Sequence, residues 1–169
     1  DIVDTDGAAT TGSPTVINGS GGGNSMWIYT SPSYGGATLT MAYRNHVSDK
    51  APESMMDYAI AISPEAVEGL TVGYAASNNS TAVNVDSDES TMYATYATGG
   101  FTFGVQSSDL DHTTANSDQE SMAYGITYAV NDDLSIGYSY HELETELTSD
   151  VDQESTGISA SYTMGGMTL

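Results

Sequence analysis

Met122-Ala123-Tyr124-Gly125-Ile126-Thr127-Tyr128-Ala129-Val130-Asn131-Asp132-Asp133-Leu134-Ser135-Ile136-Gly137-Tyr138-Ser139-Tyr140-His141 places a bulky side chain at every second position on both sides of a short polar break. A period of two belongs to an extended strand, whose successive side chains point to opposite faces. Asn and Asp favour turns because their side chains bond their own backbone, so Asn131-Asp132-Asp133 joins two strands into a hairpin. One face then carries Met122, Tyr124, Ile126, Tyr128, Leu134, Ile136, Tyr138 and Tyr140; the other carries Gly125, Thr127, Ser135, Gly137, Ser139 and His141.

The same pattern recurs outward in both directions. Bulky sets alternate at Leu39, Met41, Tyr43; Met56, Tyr58, Ile60, Ile62; Leu70, Val72, Tyr74; Met92, Ala94, Tyr96; Phe101, Phe103, Val105; and Ile158, Ala160, Tyr162, Met164. Tight-turn signals near 31–36, 63–69, 98–100, 130–133 and 164–166 recur about every 33 residues, alternating with longer polar segments centred near Ser48, Ala82, Thr114 and Ser149. Residues 1–24 read as an acidic loop and 25–169 as successive β-hairpins of one domain. Positions facing away from the bulky side hold Thr38, Thr40, Arg44, Asp57, Thr71, Thr127, Ser135, Ser139 and His141, with Ala and Gly between them. Such residues cannot fill a dry core, whereas lipid on one side and water on the other suits both faces. The expectation is an all-β, antiparallel, up-and-down transmembrane barrel with those polar positions lining its interior. Tyr96, Tyr128 and Tyr162 before tight turns, and Tyr43, Tyr74 and Tyr140 toward the loops, suit two interfacial girdles.

Composition narrows the function. The 169 residues hold 23 Asp and Glu against 2 Lys and Arg, a formal charge of -21, which excludes nucleic acid as a partner. Cysteine is absent, and no run approaches the ~20 apolar residues of a membrane helix, so any crossing is made by strands. Sorted by expected place, 18 acids fall in long loops, 4 in tight turns (Glu65, Glu68, Asp132, Asp133) and 1, Asp57, on the wall. Nine complete strands are expected, with a tenth cut short at Met167-Thr168-Leu169. Because an open edge in hydrocarbon is costly and bacterial single-chain barrels have even strand numbers, the reading is a fragment of a parent with at least about twelve strands.

Two stretches resemble a known family. Asn24-Ser25-Met26-Trp27-Ile28-Tyr29-Thr30-Ser31-Pro32-Ser33-Tyr34-Gly35-Gly36 looks like the strand and turn after the constriction loop of general diffusion porins. Tyr124 to Tyr138 resembles another hairpin of the Gram-negative, proteobacterial porins. The resemblance implies a sixteen-stranded barrel in the bacterial outer membrane, usually a homotrimer, in contact with membrane lipid and lipopolysaccharide. It implies passive passage of small hydrophilic solutes and ions, with residues 1–24, including Asp1, Asp4 and Asp6, as the inward-folded constriction loop. One departure is Ile28, where family members often carry Arg. An acidic vestibule adds the expectation of weak cation preference.

Other chemistry finds little footing. Calcium is conceivable at Asp4-Thr5-Asp6-Gly7, at Asp86, Asp88 and Glu89, or at Asp109 and Asp111, but none has the ligand spacing of a helical-hand loop, so no cofactor is expected. His46, His112 and His141 lack the close pairing of a zinc motif and read as solvated. Glu142, Glu144 and Glu146 share a strand face without an apolar pocket to raise a pKa, and no nucleophile elbow occurs, so an enzyme is not expected. The competing readings are an adhesin or phage-receptor barrel acting through its acidic loops, an enzyme housed in a barrel, and a soluble β-solenoid.

Overall fold

A computed structural model describes residues 26–44, 54–82, 85–113, 118–146, 151–164 and 167–168. Ten strands follow one another: β1 (Met26–Thr30), β2 (Ala37–Arg44), β3 (Ser54–Ile62), β4 (Leu70–Ala82), β5 (Val85–Thr98), β6 (Phe101–His112), β7 (Gln119–Ala129), β8 (Leu134–Thr145), β9 (Val151–Met164) and the two-residue β10 (Met167–Thr168). They form a single antiparallel meander in which every strand pairs with its neighbours in sequence. Among the described residues β1 and β10 are not paired with each other.

The turns follow from their residues. Gly35 and Gly36, at φ of 58° and 81°, and Gly99 and Gly100, at 56° and 85°, occupy the left-handed region that a two-residue hairpin matched to strand twist requires. At the β7–β8 turn the Asn131 side-chain oxygen accepts from the backbone N–H of Asp133 and of Leu134, both at 2.9 Å, which closes the bend expected there.

Directly opposed residues of antiparallel strands share a face. The pairing Leu39, Ile60, Tyr74, Met92 and the pairing Leu70, Tyr96, Phe103, Ile126, Tyr138, Ile158 therefore put these bulky residues of β2 to β9 on one side. Aromatic rings meet there across strands: Phe101 stacks on Tyr128 at 4.4 Å and Tyr124 on Tyr140 at 5.0 Å between centroids. Most of these side chains are exposed, Ile158 to 86% and Met92 to 57%, and the rest are half-buried. The buried residues, Ala42, Ser77, Ser87, Ser108, Ala123, Gly125 and Leu143, all lie on the opposite face. There is thus no apolar core among the described residues, only an apolar exterior.

The strands also lean. One row of opposed residues runs Met41, Tyr58, Ala76, Ser90, Asp109, Glu120, Glu144, Asp152. It begins in the apolar band and ends among acids, so a line perpendicular to the strands climbs out of the band. Strands tilted against the membrane normal, as in a sheared barrel wall, produce this drift.

Several strands outrun the expected ten residues: β4 has 13, β5 has 14 and β9 has 14. The polar segment expected as a long loop around Ala82 is instead strand up to Ala82 and again from Val85. Its acids are accordingly strand residues, not loop residues. Cross-strand pairing of Ser77 with Glu89 and of Asn78 with Asp88, the latter also joined by their side chains, carries the ladder past the residues that local preference assigns to a loop. The turn at 165–166, the segments around Ser48 and Ser149, and residues 1–24 lie outside the described residues.

Candidate functional site

The small-residue face is built row by row. Thr38, Ala61, Gly73, Tyr93, Gln106, Ala123, His141 and Ser155 oppose one another across β2 to β9. Thr40 begins the next row, with Ala59, Ala75, Thr91, Ser108, Ser121, Leu143 and Gln153. Thr71 and Ser139 share a third row through Thr95, Gly104 and Gly125, while Thr127 opposes Gly137 and Ser135 opposes Ala129. Asp57 falls on the same face, between Ala42 and Ser77. Arg44 holds the β2 position paired with Met55. Asp1, Asp4 and Asp6 lie outside the described residues.

Hydroxyls on this face bond one another and leave little that is charged. Ser77 Oγ donates to Asp57 Oδ1 at 2.6 Å, Thr91 Oγ1 to Ser108 Oγ at 2.9 Å, and Gln106 Nε2 to Ser108 Oγ at 3.3 Å. Each bond links neighbouring strands or rows, and Ser108 is sheltered to 1% exposure. His141 Nδ1 is buried without a hydrogen-bond partner.

Three residues of this face escaped sequence reasoning. Tyr93 lies over Gly73, where a Cβ would collide with its ring, so the glycine makes room for an aromatic on the polar side. Gln106 opposes it from β6. Glu89, expected in a loop, sits in β5 opposite Ser77. The available signal was parity: counting back from Tyr96, Ala94 and Met92 puts Tyr93 and Glu89 on the other face.

The remaining strand acids take the bulky side. Asp86, Asp88, Asp109, Asp111, Glu120, Glu142, Glu144, Asp152 and Glu154 all occupy outward positions by register, in the strand ends beyond the apolar band. The tally that left every such acid in a loop is therefore corrected: the strands continue past the hydrocarbon layer, which about nine to eleven tilted residues suffice to cross. Alternation also places Asp88 and Glu89 on opposite faces, while Asp86 shares the face of Asp88. Among the described residues no three His, Asp or Glu are grouped to hold a metal ion.

A tilted meander with an apolar band outside, hydroxyls and glycines inside and acids beyond the band is the wall of a transmembrane β-barrel. The model of the Gram-negative porin family matches residues 1–169, and the chain belongs to that family. It is accordingly a channel-family protein of the bacterial outer membrane. A search of curated proteins gives no match.

Proposed function

We propose that this wall bounds a water-filled channel for passive diffusion of small hydrophilic solutes and ions, with a weak preference for cations. One observation carries the reading: bulk lies outside, and the lumen side holds mainly Thr, Ser, Ala and Gly, which leave the interior open and wettable. The cation preference is supported by 23 acids against 2 basic residues. The family resemblance supports a homotrimer. The outward acids just beyond the apolar band suit lipopolysaccharide phosphates bridged by divalent ions.

Reconstitution of the intact protein in planar bilayers tests the reading. Stepwise conductance growing nearly in proportion to salt concentration, with a reversal potential on the cation side, is the expected result. Silent bilayers, or an anion-side potential, contradict the channel and its preference respectively.

A further inference from the structure

The lumen face concentrates its fixed negative charge in one row. Ile28, Ala42, Asp57, Ser77 and Glu89 oppose one another across β1 to β5. Of the acids in the described strands, only Asp57 and Glu89 take this face; the others point outward. Ser77 stands between them and fastens Asp57 through its 2.6 Å hydrogen bond. Glu89 Oε2 is buried and has no hydrogen-bond partner among the described residues, which leaves its other oxygen to meet the cavity. Both carboxylates border a cavity of about 410 Å³ with Thr40, Ala59, Ala75 and Thr91. Those neighbours are short, while Ile28 also borders the cavity and Leu110 opposes Glu89 from β6, so Glu89 is half-buried in the wall. Two strand spacings separate them by roughly 10 Å. Their fields overlap within one screening length, about 8–10 Å at physiological salt.

We propose that Glu89, acting with Asp57, determines which sign of ion the channel favours. The preference then arises on the wall, from a charge that faces the permeating ion, while the more numerous acids of the strand ends face away from the lumen and contribute little. The inference rests on the channel reading above and assigns its selectivity to particular residues. Glu89 acts on the ion through the field in the lumen, as rings of charged side chains do in other pores.

Reversal potentials across a potassium chloride gradient test it on the intact protein in planar bilayers, comparing Glu89→Gln, Glu89→Asp and the outward control Asp109→Asn. Glu89→Gln is expected to lower the cation-to-anion permeability ratio about twofold, since a salt-screened unit charge roughly 8 Å away raises the local cation and lowers the local anion concentration about 1.4-fold each. Glu89→Asp should keep most of the preference, and Asp109→Asn all of it. Wild-type conductance steps in concentrated salt would show each variant folded with its lumen intact. A wild-type ratio in Glu89→Gln overturns the inference, as does an equal shift in Asp109→Asn. Conductance steps with an unmoved ratio overturn this inference alone, while absent steps in the unaltered protein overturn the channel reading with it.

Discussion

The two faces of the same strands obey opposite rules. On the lumen side the buried residues are small or modest, Gly125 among them, from Ser108 at 1% exposure to Ala42 at 9%. On the outer side Trp27, Met92 and Ile158 stand exposed to 62%, 57% and 86%. In a water-soluble sheet the bulky face would be covered, since large contiguous apolar patches are unfavourable in water. Here the solvent on the bulky side is lipid, and exposure of that face is what stabilises it. Which face counts as the interior is thus decided by the surroundings, not by burial within the protein.

The largest effect should come from moving a charge between neighbours that face opposite ways. Ile126 lies in the apolar band between Phe103 and Tyr138, while Thr127, the next residue, faces the lumen between Thr102 and Gly137. Ile126→Arg is expected to destabilise the folded protein in lipid vesicles by about 2–4 kcal/mol, and Thr127→Arg by much less. Equilibrium unfolding in urea would read both, and equal losses would break the distinction between faces.

A smaller effect sharpens the lumen side. Gly73→Val forces its side chain into the Tyr93 ring, an overpacking expected to cost about 1–3 kcal/mol. Adding Tyr93→Ala should restore much of it, measured by the same unfolding. On the outer side, the Tyr124–Tyr140 stack should show a coupling of about 0.5–1.5 kcal/mol in a double-mutant cycle with Leu at each position.

The least effect is expected where the outer face leaves the hydrocarbon. Asp109, Glu120, Glu144 and Asp152 oppose one another directly on four adjacent strands. Like charges so placed repel by roughly 0.2–1 kcal/mol per pair. Glu120→Gln should therefore stabilise the protein in chelator, and the gain should shrink when magnesium is added; thermal unfolding in detergent with and without the ion checks this.

The apolar hairpin from Met122 to Tyr140 was legible because one face is bulky throughout and its turn is written in Asn and Asp. The strand ends were not. Asp86 to Ser90 and Asn78 to Ser80 are residues that locally prefer turns and loops, and what holds them extended is pairing with a partner strand, which no local pattern reveals. Once those ends became strand, parity set Glu89 on the small-residue face and nine other acids on the bulky side. Tyr93 was hidden for a related reason: its ring follows directly on Met92 and seems to interrupt the alternation, and the vacancy that receives it is a glycine twenty residues away. That Thr38, Thr40, Asp57, Thr71, Thr127, Ser135, Ser139 and His141, the positions expected to line the pore, share one face needed only the period of two, and the register puts them together there.

Alternation between lipid and water along one strand tests the account most directly. The chain holds no cysteine, so single-cysteine variants at successive positions of β7, from Met122 to Tyr128, each report one site. In vesicles, Ala123, Gly125 and Thr127 should react with a small water-soluble thiol reagent admitted to the lumen. Met122, Tyr124, Ile126 and Tyr128 should be protected from it and quenched by a lipid-borne probe. Uniform reactivity along the strand, or the reverse alternation, would contradict the assignment of the two faces and with it the channel.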